Sequence, residues 1–235
     1  MSGAIQTTVF ANPEALAAAV AERFAVLAAQ PAQAPFTVAL GGGSTPKRMY
    51  ELLAAAPLRD RIPWDAVEFF FGDERSVPPE HPDSNYGMAK RALLDHVPSK
   101  AHRMAAERDD AAGYARLLGE RITRRRNGVP VLDLVLLGMG EDGHTASLFP
   151  GTAALDERTQ WVVMNDVPQL HTRRMTLTYP VLDRSRCVLF VVTGGEKVKA
   201  LDLLRAGDRR IPAARVTGER MVVMADAAAT GGEDK

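Results

Sequence analysis

The sequence predicts one α/β domain, a three-layer α/β/α sandwich around a mostly parallel sheet, and three observations carry that reading. Short apolar runs recur along the chain: FTVALG, VEFFFG, LDLVLLG, WVVMND, RMTLTY, CVLFVVTG and MVVMAD. Their apolar residues are continuous rather than alternating, which is the pattern of strands covered on both faces. Helical stretches lie between them, around Pro13 to Ala29, Pro46 to Ala56, Asn85 to Val97 and Asp110 to Arg126. Strands alternating with helices build parallel units whose helices cover the sheet. Finally, 235 residues with 46% hydrophobic and 25% charged side chains suit one large core, so residues 1–235 read as a single domain.

The elements can be justified in order. The Ala-rich first helix carries Leu16, Val20, Phe24 and Leu27 at steps of three and four, a core-facing stripe. FTVAL is followed by Gly41-Gly42-Gly43-Ser44-Thr45-Pro46, which reads as a strand, a tight turn and a helix with a hydroxyl cap and proline at its first position. The free amides of such a start, with the Ser44 and Thr45 hydroxyls, suit a phosphate monoester; the plainer reading is a turn that only caps a helix. Lys47 either helps neutralise that anion or is solvated. The G-x-x-x-x-G-K-[ST] spacing of a triphosphate loop is absent.

VEFFFG ends in Asp73-Glu74-Arg75; an isolated DER would read as a surface ion pair, but its position after FFFG, at a strand's carboxyl end, favours side chains facing the crevice. Ser84 or Asn85 can cap the next helix, with polar side chains able to face the same place. LDLVLLGMGEDGHTASLFP then sets His144, Glu141 and Asp142 in the turn after a buried strand. Open α/β sheets present functional groups in the crevice beyond the carboxyl ends of their strands, so His144 is the leading candidate for a reaction centre. Arg174, at the start of MTLT, and Lys197, in the turn Gly194-Gly195-Glu196-Lys197, offer two fixed positive charges to a phosphate. TGGEDK, residues 230–235, reads as a disordered tail.

Several function classes are disfavoured. Gly138, Gly140 and Gly143 satisfy G-x-G-x-x-G, but Glu141 and Asp142 would repel a pyrophosphate, and Pro150-Gly151 stops any crossover helix. Twenty-nine basic residues balance 29 acidic ones, which argues against a whole-surface partner such as nucleic acid or a membrane. Cys187, the single cysteine, lies in RCVLFVV and reads as a packed core residue. His81, His96, His102 and His171 lack metal-ligand spacing and read as loop or surface residues, so no metal site is expected. MSGAIQTTVF lacks a basic start and no apolar run spans a bilayer, so the expected address is the cytoplasm. The apolar faces can be accounted for by the sheet's own helices, which leaves a monomer or weak homo-oligomer.

Taken in order, LGGGSTP, FFGDERSVPPEHPDSNYGMAK, LDLVLLGMGEDGHTASLFPG, RRMTLTYPVL, VTGGEKVKAL and the late IPAARV resemble the 6-phosphogluconolactonases of the glucosamine-6-phosphate isomerase/6-phosphogluconolactonase family. The resemblance covers essentially the whole chain. It implies the sugar-phosphate isomerase and deaminase fold, a modified Rossmann-like sheet. It also implies hydrolysis of 6-phospho-D-glucono-1,5-lactone in the oxidative pentose phosphate pathway, without metal or organic cofactor. His144 is then the base that activates water, with Asp142 orienting it or steadying the imidazolium. Amides of the Gly143 to Ala146 turn, or Arg75, stabilise the oxyanion. Gly42, Gly43, Ser44, Arg174 and Lys197 hold the phosphate, Asp73 contacts the sugar hydroxyls, and Thr45, Lys47 and Asn85 complete the substrate- and phosphate-binding set. Arg173 competes with Arg174 for the inward position, and Arg174 is preferred because it directly precedes MTLT.

The related glucosamine-6-phosphate deaminases share the glycine loop and the aspartate-glycine-histidine turn, but their pattern GHIAFNEP carries an acid where this chain has Phe149. Opening an amino sugar and moving a proton between carbons needs more acid and base groups than hydrolysing a lactone. A noncatalytic sugar-phosphate sensor is the third reading, disfavoured by the intact His144. VVMADAAA replaces a tryptophan-containing version near the C-terminus, expected as a packing difference.

Overall fold

The structure, a computed structural model, describes residues 5–31 and 34–232. In chain order its strands are β1 (Gln6–Phe10), β2 (Phe36–Leu40), β3 (Val67–Phe71), β4 (Asp73–Arg75), β5 (Lys100–Ala101), β6 (Arg125–Arg126), β7 (Val129–Pro130), β8 (Leu134–Leu137), β9 (Val162–Val167), β10 (Thr172–Leu177), β11 (Cys187–Val192) and β12 (Arg220–Asp226). Its α-helices are α1 (Pro13–Ala29), α2 (Ser44–Leu53), α3 (Leu58–Arg61), α4 (Asn85–Ala89), α5 (Ala111–Arg121), α6 (Tyr179–Leu182) and α7 (Val198–Arg205).

Seven strands form a parallel sheet in the order β1-β12-β11-β8-β2-β3-β5, flanked by helices. The chain runs outward from β2 through β3 to β5, then returns to the other side of β2 as β8 and continues through β11 and β12. The loops leaving β2 and β8 therefore diverge from neighbouring strands, and a crevice opens between them. β2, β3, β8 and β11 are buried at every residue, which explains their unbroken apolar sequences. Phe24 of α1 anchors the packing, stacked on Phe69 at 6.2 Å and edge-on to Phe36 at 5.8 Å. Asn12 Oδ1 accepts the Ala15 amide at 2.9 Å and Pro13 opens α1, while Leu16, Val20 and Phe24 are buried.

Two of the seven expected parallel strands belong elsewhere. WVVMND and RMTLTY supply β9 and β10, which pair antiparallel with each other and with β4 in a separate three-stranded sheet. The third strand is the charged DER segment, too short and polar to read as a strand, and its partners have the same apolar composition as the buried runs. β1 and β5 take edge places that no apolar run announced.

Helix boundaries differ where caps compete. α2 begins at Ser44 with Gly43 as N-cap, so Pro46 is its third residue rather than its first and no hydroxyl caps it. Asn85–Ala89 is α-helical, but Lys90–Leu94 forms a π-turn. α5 ends at Arg121, and Arg125–Arg126 joins a hairpin instead. At the other end, Thr230 is buried in a 3-10 turn and donates its hydroxyl to Ala227 O at 2.9 Å; residues 233–235 of the expected tail lie outside the described residues.

Near the amino ends of the strands, buried acids are neutralised. Asp133 Oδ2 accepts the Thr37 amide and hydroxyl at 3.1 Å each, and Oδ1 accepts from Arg186 at 3.2 Å. Glu68 accepts from Arg121 and from His102 at 3.1 Å. Burial pushes the Glu68 carboxyl up, but the bonds from Arg121 and His102 outweigh it and hold it below its ordinary value. His102 lies in a loop, as one of the two expected placements had it, but is largely covered, its ring stacked on Phe70 at 4.9 Å. Cys187 is buried as a free thiol.

Candidate active site

The loops after β2, β3, β8 and β11 converge on one crevice of about 240 Å³, lined among others by Gly41 to Gly43, Asp73, Arg75, Asn85, His144, Arg174 and Lys197. The switch in strand order places the glycine loop and the histidine turn side by side, although they lie about a hundred residues apart in sequence.

His144 Nδ1 lies 2.6 Å from Asp142 Oδ1, and the same oxygen accepts the His144 amide at 3.0 Å. A carboxylate only accepts, so the ring proton sits on Nδ1 and the lone pair on Nε2. Nε2 has no hydrogen-bond partner among the described residues, and the side chain is 29% exposed. Glycine is required at position 140, where a Cβ would come within 2.1 Å of His144 Nδ1 and 2.7 Å of Asp142 Oδ1. The turn is pinned further by Gly140 N donating to His144 O at 2.9 Å and Thr145 Oγ1 donating to Gly138 O at 2.8 Å. Gly143 N donates to Gly140 O at 3.0 Å, so neither its amide nor that of His144 is free to meet an oxyanion. Ala146, with φ +48°, holds a left-handed conformation at the crevice wall.

Asp73 is buried and fully bonded. Ser147 Oγ donates to Oδ2 at 2.6 Å and Asn85 Nδ2 to Oδ1 at 3.2 Å. Asn85 Oδ1 is buried without a partner, directly above the glycine loop: a Cβ on Gly42 would stand 2.0 Å from it. Glu74 does not face the crevice. It accepts the amides of Arg75, Asn85 and Tyr86 and the Ser84 hydroxyl, fastening the start of α4 beside β4. Burial nevertheless pushes its carboxyl above the usual value, the four bonds opposing it.

Three cations reach the crevice. Arg75 and Arg174 stand opposite each other on β4 and β10, each with a buried Nε that has no partner. Burial pulls the Arg174 guanidinium below its ordinary value, and no carboxylate among the described residues lies within ion-pair distance of it. Arg173 points the other way, bonded to Asp109 and 3.2 Å from Asp166. Lys197 is largely covered and only 3.5 Å from Glu196.

Other expected residues are not brought in. Lys47 lies 3.8 Å from Glu51 along α2, in an outer groove of about 590 Å³ that also holds Met88, Arg91 and His96. Lys47, the fourth residue past the Gly43 cap, is exposed and its ammonium lies along α2 toward Glu51, outside the crevice. Ser44 is exposed outside it. Thr45 is buried, its hydroxyl 3.0 Å from that of Thr193, so it ties the glycine loop to the Lys197 loop.

Sequence reasoning missed the groups that hold the others. Asn165 Nδ2 donates to Ser147 O at 2.8 Å, and Asp226 Oδ1 accepts the amides of Gly194 and Ala229 at 3.1 and 2.9 Å. The Phe149 ring stacks on His144 at 4.0 Å. Short polar residues at strand ends carry no periodic signal; only their position after apolar runs could have drawn attention to them. Among the described residues no group of three or more His, Cys, Asp or Glu is placed to hold a metal, and no helix is long and apolar enough to cross a membrane.

Comparison with known proteins agrees with this architecture. The family model described as glucosamine-6-phosphate isomerases/6-phosphogluconolactonase matches residues 11–224. A 6-phosphogluconolactonase of Nostoc sp. is 43% identical over 176 residues, covering 72% of this chain and 71% of the relative. One from Haemophilus influenzae is 34% identical over 194 residues, covering 80% and 82%. The solved 6-phosphogluconolactonase from Trypanosoma cruzi superposes with a TM-score of 0.87 at 29% identity, covering 100% of this chain and 99% of that one. By sequence over most of its length and by fold, the chain belongs to the glucosamine-6-phosphate isomerase/6-phosphogluconolactonase family.

Proposed function

We propose that the chain hydrolyses 6-phospho-D-glucono-1,5-lactone to 6-phospho-D-gluconate in the oxidative pentose phosphate pathway, the activity that names the relatives above. The observation that supports this most directly is a histidine with a free Nε2, oriented by a carboxylate, sharing a small crevice with three cations. One end of such a site suits water attack on a carbonyl and the other a phosphate dianion.

In the reaction, Nε2 of His144 takes a proton as a water oxygen bonds to the lactone carbon. Asp142 holds the imidazolium that forms. The carbonyl oxygen becomes an oxyanion, and the Thr145 and Ala146 amides are the donors left in the turn once those of Gly143 and His144 are committed. Collapse breaks the bond from the carbonyl carbon to the ring oxygen, which leaves with the proton from Nε2. Arg75, Arg174 and Lys197, with the glycine loop, hold the phosphate away from the reacting carbon, so binding energy at the remote group positions the ester. Asp73 and Asn85 fix the floor and the sugar side. We place the reaction in the cytoplasm; the balance of 29 basic and 29 acidic residues and the internally packed apolar faces support a monomer or weak homo-oligomer without nucleic-acid or membrane partner.

The test follows lactone hydrolysis above the spontaneous background, with lactone generated in situ. Wild type should accelerate it, and His144→Ala should lower kcat by about a thousandfold while the thermal midpoint stays put. No acceleration by the wild type would reject the reading and turn attention to ammonia release from glucosamine 6-phosphate.

A further inference from the structure

We propose that Phe149 is a positioning residue that fixes the plane of the His144 imidazole and the seat of the Arg174 guanidinium with one ring. The proposal rests on the lactonase reading and extends it to a residue that lies behind the crevice lining. Phe149 is 2% exposed, its ring centroid lies 4.0 Å from that of His144 with 23° between the planes, and the Arg174 guanidinium carbon is 5.5 Å from the same centroid.

Each partner needs what the ring supplies. The His144 ring has a single hydrogen bond, from Nδ1 to Asp142, and one bond fixes a point but leaves rotation about its axis. A flat face stacked on the imidazole removes that rotation, so the Nε2 lone pair keeps one direction. Arg174 is partly buried with an unpartnered Nε and no ion pair, and an aromatic face is the neighbour that attracts a desolvated cation without consuming its N–H donors. A carboxylate in that place would pair with the guanidinium and compete with phosphate. Phe149 carries no group that exchanges protons, so it leaves His144 as the acceptor.

The ring itself is held. Thr152 donates to Phe149 O through its hydroxyl at 2.8 Å and its amide at 3.2 Å. Asn165 Nδ2 donates in turn to the Thr152 hydroxyl at 3.0 Å and to Ser147 O at 2.8 Å, and Ser147 is bonded to Asp73. Asn165 thus connects the segment carrying Phe149 to the floor of the crevice, so the backbone that carries the ring is anchored and the ring itself is buried.

The experiment compares Phe149→Leu and Phe149→Tyr with the wild type in three measurements: kcat and KM for the lactone, affinity for 6-phosphogluconate, and the His144 ring signals in NMR, identified by their loss in His144→Ala. Leucine keeps most of the bulk without the flat face, and tyrosine keeps the face. Leucine is expected to lower kcat about tenfold, raise KM about threefold and weaken 6-phosphogluconate similarly, with tyrosine returning each to within about twofold. The His144 signals should lose the ring-current displacement in the leucine variant and keep it with tyrosine. Should Phe149→Leu not fold, Phe149→Met carries the same readouts. Wild-type kinetics and unmoved imidazole signals in the leucine or methionine variant would overturn the proposal, as would equal losses with leucine and tyrosine. An inactive wild type would reject the lactonase reading separately, leaving ligand affinity and the imidazole signals to decide the role of Phe149.

Discussion

Near the amino ends of the strands Glu68 and Asp133 are buried and each is bonded to an arginine, whereas at the carboxyl ends Arg75 and Arg174 are half-buried with no carboxylate within ion-pair distance among the described residues. The same side-chain type serves opposite ends. Below, the arginine answers a charge that folding has already buried; above, it waits with unpartnered donors for a charge that arrives from outside. An unsatisfied buried donor costs about 1–3 kcal/mol, so its persistence is informative in a way that a paired surface charge is not.

This contrast is open to experiment. The largest effect is expected at the upper end: Arg174→Ala should lower kcat/KM for dilute lactone about a hundredfold and leave the thermal midpoint unchanged or higher, since it removes a desolvated cation. Full activity with a lower melting temperature would reverse the contrast. At the lower end Arg121→Ala should lower the urea midpoint, because it leaves the buried Glu68 carboxylate short of a partner, while kcat/KM holds within about twofold. Its pH signature has a definite sign. The lowered carboxyl of Glu68 gives stability that is present above the ordinary glutamate value and lost as pH falls through its folded value, so Arg121→Ala should move acid unfolding to higher pH. The smallest effect sharpens the border between the regions: Lys47→Ala, outside the crevice, should leave both kinetic constants within about twofold.

Much of this was legible in the sequence because buried parallel strands are written as unbroken apolar runs, and the residues that follow such runs face the crevice. Gly42, His144 and Arg75 follow such runs and line the crevice. The antiparallel sheet was not, since WVVMND and RMTLTY have the composition of the central strands and their partner DER does not look like a strand at all. Lys47 and Arg174 differ only in direction, which depends on the helix start at Ser44 and on strand register, neither visible beforehand. Ser147, Asn165 and Asp226 act through hydrogen bonds between segments distant in sequence, and no local pattern encodes a partner 74 residues away, as Ser147 has in Asp73.

The register that sets Arg75 directly across from Arg174 has a consequence for the free protein. Like charges at facing positions of an antiparallel pair push the strands apart by up to about 1 kcal/mol. An anion seated between them would turn that repulsion into a clasp, so occupancy would be felt as cohesion of the small sheet. Heating curves recorded at rising 6-phosphogluconate should climb by the logarithm of its concentration. The enzyme's own melting temperature would then serve as a gauge of the sugar phosphate around it.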